Sequence, residues 1–336
     1  SLSFEERAAD LVSRMTLEEK ISQTGNNAPA IPRLGVNSYN YWREGLHGVA
    51  RQGKATSFPT SLSMSNTWNR ELINQAADIT STEARGKNSR YNLSYWSPTI
   101  NMARDPRWGR NEETYGEDPY LTGQIGIEFI KGMQGSDEKY LKTIATIKHF
   151  IANNCENERR GGSSKLDERT LREYYGKVFQ NVVEGSNPAS AMSSYNATTL
   201  TRNGETVYDY IPSAANPYTL TELLRRNWGF TGYVTGDCGA VQDLGGTEVG
   251  RKMNTYKKAL VPEKAVSEIT AAESIAKGFK AGNDIDCGSA APTTLLDAVK
   301  NGYLKEDELD LNIYRLFLQR MRTGEFDDQA NVPYST

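Results

Sequence analysis

One regularity constrains this chain more than any other. Short apolar or aromatic runs, each closed by a polar or charged residue, alternate with longer segments whose apolar residues recur at helical spacing. The runs lie at 36–42, 93–99, 143–150, 189–195, 232–237 and 282–287, and the helical segments near 69–87, 119–133, 167–184, 218–227, 263–281, 291–300 and 306–322. Strand followed by helix, repeated, implies a parallel sheet, because parallel neighbours require a long crossover between them. Ahead of the first run, Phe4, Ala8, Leu11, Val12 and Met15 share one helical face, and Thr16-Leu17-Glu18-Glu19 forms a capping-box string that opens a second short helix. Glu44, Lys148 with His149, Tyr195 and Asp237 each follow or close a different run. Functional groups gathered at several strand ends favour a closed sheet over an open one. The expectation is therefore an α/β fold, a (β/α)8 TIM-type barrel preceded by short N-terminal helices. An open nucleotide-binding sheet would ask for GxGxxG after the first strand or for GxxxxGK[ST], and neither string occurs. Gly245-Gly246-Thr247-Glu248-Val249-Gly250 has the glycines but runs into Arg251-Lys252, and reads as a mobile loop.

Charge and residue counts remove whole classes of function. With 39 Lys+Arg interleaved among 42 Asp+Glu, there is no broad cationic field for a phosphate backbone, so nucleic acid is not an expected partner. No apolar run approaches the ~18 residues of a membrane span, so no membrane partner is expected, and Ser1-Leu2-Ser3-Phe4-Glu5-Glu6 is not a signal peptide. If the protein is exported, its signal has already been removed, and secretion is favoured over a cytoplasmic location. Cys155, Cys238 and Cys287 are odd in number and far apart, which indicates neither a disulfide framework nor a Cys-rich zinc site. His47 and His149 are the only histidines, so HExxH and three-histidine metal sites are excluded. No cofactor or metal is expected. Asn92-Leu93-Ser94 and Asn196-Ala197-Thr198 are formal glycosylation acceptors, and the oligomeric state, homo-oligomer included, is left open.

The strand-end residues carry the chemistry. Asp237 stands in Thr235-Gly236-Asp237-Cys238-Gly239 at the tip of a buried run, a place suited to a nucleophilic carboxylate and equally to a helix cap or turn. Lys148 and His149 supply two adjacent donors that can grip vicinal hydroxyls; alternatively they are an ion-paired lysine and a core histidine, or Lys148 forms a Schiff base. The stretch Arg104 to Pro119 is dense in guanidinium and carboxylate groups, of which most must brace one another while one arginine faces a ligand. Tyr41-Trp42-Arg43-Glu44 mixes rings with a carboxylate, as a sugar subsite does and as an aromatic core also does. Tyr195 closes a further run, where its phenol could bond a nearby carboxylate.

Taken together, Glu44 to Val49, Arg104 to Pro119, Lys148-His149-Phe150, Ser194-Tyr195-Asn196, Trp228-Gly229-Phe230 and Gly236-Asp237-Cys238-Gly239 resemble the N-terminal barrel of glycoside hydrolase family 3, over nearly the whole chain. The resemblance implies a retaining, exo-acting β-glycosidase working through a covalent glycosyl–Asp intermediate, with a small oligosaccharide or glycoside as substrate. It places the nucleophile on Asp237, sugar contacts on Arg110, Lys148 and His149, an acidic sugar ligand on Glu44, and a neighbour of the nucleophile on Tyr195. The Glu44-Gly45-Leu46-His47-Gly48-Val49 form is similar to the β-xylosidase branch, with α-L-arabinofuranosidase activity as a further implication. Glucose is disfavoured by only ~1–3 kcal/mol, so a β-glucosidase stays as the alternative.

Retaining hydrolysis needs a second carboxyl about 5 Å from the first. The family takes it from an α/β sandwich domain after the barrel, or from a His–Asp pair in the loop that follows the Lys-His-Phe string. Residues 151–169 contain no histidine; Glu156, Glu158 and Asp167 lie there as candidates. The organisation expected is a barrel over 1–325 with 326–336 beginning a linker toward an absent C-terminal domain, so that the acid/base comes from that domain or from a companion chain. A non-catalytic sugar-binding barrel and a Schiff-base lyase are the readings from other classes.

Overall fold

The computed structural model describes residues 2–246 and 251–335; of the loop expected at 245–250, positions 247–250 lie outside the described residues. At its centre is a four-stranded parallel sheet in the order Ser94–Tyr95, Ile144–Phe150, Ser190–Ser193, Tyr233–Gly236. All of Ile144–Phe150 is buried, as a parallel strand covered on both faces requires. The sheet curls. Beyond Tyr233–Gly236, Thr235 bridges in parallel to Ile285, and Asp286 bridges to Gly25. Farther round, Tyr41 N donates to Asn26 O (2.9 Å) and Trp96 N to Arg43 O (2.8 Å). Asp284 braces the turn from within: it is fully buried and accepts from Val234 N, Arg225, Asn312 and Arg315.

Two of the six expected runs differ from expectation. The first contributes only Tyr39–Asn40, paired antiparallel with Asn27–Ala28. The cause is local: Asn40 Oδ1 accepts from Trp42 N (2.8 Å) and Asn92 Oδ1 from Asn40 N (2.6 Å), so amide side chains replace the strand ladder. The last, 282–287, enters through the single bridges of Ile285 and Asp286 rather than as a strand.

Helices Arg70–Asn88, Pro119–Gln134, Gly176–Ser186, Ala271–Ala281, Ala290–Lys300 and Glu306–Arg322 pack outside the sheet. Their starts are chemically specified: Asn69, Asp118 and Thr270 accept backbone N–H groups of the first turn, and the expected Thr16–Glu19 capping box forms. Of the segment expected at 263–281, only Ala271–Ala281 is an α-helix. A second sheet, Ser163–Asp167, Ala197–Arg202 and Glu205–Pro212, was not expected. Its hairpin turns on Asn203-Gly204, both at positive φ (52° and 83°).

Cys238 and Cys287 form a disulfide and Cys155 is free and exposed, which corrects the sequence expectation that no disulfide pairing is indicated. The reason is register: Thr235 opposite Ile285 brings the ends of two neighbouring segments together across 49 residues of sequence. Closing a loop of this size restricts the unfolded chain, so Cys287→Ala is expected to cost about 2–4 kcal/mol in urea unfolding. Reduction of the wild type should give a loss of the same size.

The tail folds back on the body. Glu325 is buried against Arg320, Arg7 pairs with Asp327 (2.7 Å), and Tyr334 Oη accepts from Asp137 N (2.8 Å). Gly135 and Asp137 precede Ile144–Phe150, so the tail is held at the amino-terminal end of that strand.

Candidate active site

Asp237 directly follows Tyr233–Gly236, and its N–H continues the ladder to Ser193 O (3.0 Å). Of the two nearby glycines, Gly236 is required by space and Gly239 by its left-handed backbone. A Cβ on Gly236 would lie 2.7 Å from Val241, and one on Gly239, at φ +87°, 2.9 Å from the Arg160 guanidinium. Asp237 Oδ1 accepts from Cys238 N (2.7 Å), whereas Oδ2 is buried and has no hydrogen-bond partner among the described residues. Burial pushes this carboxyl up from its ordinary range; the Cys238 N–H, Lys148, Arg110 and Arg159 oppose that shift without cancelling it.

Around Asp237 the structure gathers the other residues expected from the sequence. Lys148 and His149 lie inside the last part of Ile144–Phe150 rather than after it. Lys148 Nζ is 3.1 Å from Glu44 Oε2, and Glu44 Oε1 accepts from Trp42 Nε1 (3.1 Å). A Schiff-base lysine needs a free amine, so this ion pair speaks against the lyase reading. His149 Nε2 stands 3.8 Å from Asp237 Oδ2 and accepts from Arg110 Nη2 (3.1 Å). Burial, then Arg110, Lys148 and Arg159, hold His149 well below the ordinary histidine range, so the ring is neutral. Tyr195 Oη donates to Cys238 O (2.7 Å), next to the nucleophile candidate, and burial with the Asp237 charge keeps the phenol protonated.

Of the guanidinium-rich stretch, Arg110 is the residue that faces inward. Its Nε and Nη2 bind Glu113 at 2.7 and 2.8 Å, while Arg107 is exposed and paired with Asp105, and Arg104 donates to Tyr175 Oη. Glu44, Arg110, Glu113 and Lys148 line an open cavity of about 640 Å³ whose outer wall is the 46–57 loop; Asp237, His149 and Tyr195 are not among its lining residues.

Of the two readings left open for the aromatic pair, the structure supports packing over a sugar contact. Tyr41 is fully buried against Tyr39 and Tyr233 and belongs to the core. Trp42 offers no free face to a sugar: Trp96 stacks on one side (5.5 Å) and the Arg51 guanidinium lies 3.8 Å from its ring centre. Its function here is to orient Glu44. Asn196 is buried with its amide bonded to Ile151 O and Ala197 O, so it is closed to glycosylation.

Among the residues weighed for the second carboxyl, Asp167 caps the following helix through Thr170 N (2.6 Å). Glu156 accepts from Trp108 Nε1 and Arg159 and stands 3.8 Å from Arg110. Sequence reasoning missed Glu113, which clasps Arg110, and Asn101, which holds His149 through its N–H and ring at 2.7 and 3.0 Å. It also missed Arg159, whose guanidinium lies 4.8 Å from the Tyr195 ring centre. Glu113 is three residues from Arg110, a spacing that could have flagged the pair; nothing in the sequence marks Asn101. Among the described residues no group of three or more His, Cys, Asp or Glu side chains could hold a metal ion.

Comparison with known proteins identifies the family. The family model described as the glycosyl hydrolase family 3 N-terminal domain matches residues 41–318. A xylan 1,4-β-xylosidase of Xylanibacter ruminicola is 36% identical over 100% of this chain and 38% of its own length, and an exo-1,4-β-xylosidase of Emericella nidulans is 36% identical over 99% and 43%. The chain thus spans about two-fifths of the length of the curated relatives it matches. Among solved structures, an exo-β-xylosidase in complex with a xylobiose aziridine probe superposes with a TM-score of 0.84 (33% identity, 99% of this chain, 42% of the other). β-Glucosidase 3B of Thermotoga neapolitana superposes at 0.69 (28% identity, 92% and 42%). The chain belongs to glycoside hydrolase family 3, and residues 41–318 are the family's N-terminal domain.

Proposed function

We propose that this chain is the nucleophile-bearing part of a retaining exo-β-xylosidase, with α-L-arabinofuranosidase activity as a secondary capacity. The observation that carries the reading is Asp237 Oδ2, a buried oxygen with no partner among the described residues, 3.8 Å from His149 and within the field of Lys148, Arg110 and Arg159. Oδ2 attacks the anomeric carbon of a non-reducing-end sugar, and a C–O bond forms as the glycosidic C–O bond breaks. The departing oxygen takes a proton from a second carboxyl, which afterwards removes one from the water that releases the sugar. Glu44, Arg110, Lys148 and His149 hold the hydroxyls, and Tyr195 braces the strand end beside the nucleophile. Relatives more than twice the length of this chain support an acid/base supplied by a C-terminal domain, toward which residues 326–336 lead. We take the curled sheet with its bridges through Ile285, Asp286 and Gly25 as the visible part of a (β/α)8-type barrel over 1–325. The Cys238–Cys287 disulfide supports an oxidising, secreted setting.

A 2-deoxy-2-fluoro-xylosyl fluoride, whose good leaving group lessens the need for an acid, should label the peptide containing Asp237, as read by mass spectrometry. The glucosyl analogue should react roughly 10–200-fold more slowly, the discrimination available from one misfitting group. A label on another residue, or none even with the complementing domain present, rejects the proposal. Measurable xylose binding without any label would favour the sugar-binding reading.

A further inference from the structure

We infer that Asn101 is a positioning residue that fixes His149 as its Nδ1–H tautomer, so that Nε2 takes the Arg110 N–H as an acceptor and never meets Asp237 as a donor. The catalytic consequence rests on the reading of Asp237 as nucleophile; the tautomer itself does not.

Asn101 is almost fully buried, a few residues beyond Ser94–Tyr95. Its Nδ2 donates to Asn153 O (3.0 Å), which orients the amide. Oδ1 therefore faces His149, where it accepts from the backbone N–H (2.7 Å) and lies 3.0 Å from ring Nδ1. The reverse orientation would set an NH2 group against a backbone N–H that can only donate. An acceptor at Nδ1 requires a proton on Nδ1. At the other end of the ring, Arg110 Nη2 stands 3.1 Å from Nε2, and a guanidinium has no acceptor to offer, so Nε2 must carry the lone pair. Glu113 holds Arg110 by Nε and Nη2, which leaves the second Nη2 proton for His149. The two ends of the ring are thus constrained independently and agree. The charged groups facing the ring, Arg110, Lys148, Arg159 and Asp237, include three cations, which favour the neutral form.

The consequence falls on Asp237. The other neutral tautomer, or an imidazolium, would present a donor 3.8 Å from Oδ2 and tie up the electron pair that must attack carbon. With Asn101 in place, His149 offers Oδ2 no donor, because its Nε2 carries a lone pair that takes the Arg110 N–H.

The test exploits the scarcity of histidine: imidazole nitrogen NMR has only His47 and His149 to resolve, and His47→Gln assigns them. In the wild type, His149 should be neutral with the proton on Nδ1 at pH 7. A proton on Nε2, or an imidazolium, overturns the inference, and this measurement stands even if the variant fails to fold. In Asn101→Asp, the new carboxylate should convert His149 to an imidazolium at pH 7. Labelling of Asp237 by the fluoro-xylosyl fluoride should then fall roughly 10–100-fold, the usual effect of removing a group that orients a functional histidine. The loss should shrink as pH rises and the imidazolium deprotonates. An unchanged His149, or a loss equal at every pH, overturns the positioning role. Absence of label in the wild type alongside the Nδ1–H tautomer would remove the nucleophile reading and leave the tautomer assignment intact.

Discussion

With Asp237 as the proposed nucleophile, Asp237→Asn should lower the fluoro-xylosyl labelling rate on the order of 10⁴-fold or more, as for loss of a member of a catalytic unit, and should at the same time raise the melting temperature at neutral pH. Both effects have one source. The carboxyl is buried with one oxygen unbonded, and burial raises its pKa above the unfolded value. A carboxyl whose folded pKa is raised favours the folded state fully below the unfolded pKa, and that benefit is lost as pH climbs through the folded pKa. At pH 7 the charged form therefore weakens the fold, and an amide of the same shape removes that cost. Oδ1 can still accept from Cys238 N, so the local backbone is kept. Scanning calorimetry from pH 7 downward should show the variant's advantage narrowing and vanishing near the ordinary carboxylate range. A variant less stable than the wild type at pH 7 would contradict the account. For the same reason the acid limb of the wild-type labelling rate should lie above an ordinary aspartate's, since Oδ2 must be ionised to attack.

Arg320→Met should destabilise by about 3–5 kcal/mol, because it leaves a buried carboxylate without its counter-charge. Arg320 is fully buried and Glu325 nearly so, joined at 2.8 Å (Nε to Oε2) and 2.5 Å (Nη2 to Oε1). The guanidinium also donates to Asn37 O and lies over Tyr39, Phe317 and Phe326. Arg320→Met with Glu325→Leu removes both charges and should recover most of the loss, because a buried pair replaced by apolar groups is often neutral. Urea unfolding of the single and double variants measures this. A double variant as unstable as the single would show that packing of the guanidinium on the rings, and not the orphaned charge, dominates.

The sequence was informative where burial dictates residue type. Ile144–Phe150 is buried along its whole length, so only an apolar run can occupy it, and the run is visible. Asp237, Lys148 and His149 sit at the ends of such runs and inherit their legibility. The first strand was misread because Asn40 and Asn92 substitute for ladder hydrogen bonds, a choice made by tertiary contact. The hairpin at Asn203-Gly204 carried the standard turn signal, yet its flanking residues are partly exposed and lack an apolar run. Among the charges of 104–119, only the fold decides that Arg110 faces inward while Arg107 stays in solvent. Asn101 and the Cys238–Cys287 bridge depend on register between segments far apart in sequence, and one sequence holds no record of register.

The anchoring of Tyr334 at the amino-terminal end of Ile144–Phe150 sets a requirement of reach. Asp237 belongs to the opposite end of the sheet, and the seven residues of that strand alone span roughly 23 Å. On the proposed reading, a carboxyl supplied from beyond Tyr334 would begin its path on the far side of the molecule and would need at least ~7 extended residues to be carried round. The pair of carboxyls would then be assembled by docking of two bodies, tethered at one end and meeting at the other. The tether, through the effective concentration it creates, would govern how often the catalytic pair is complete.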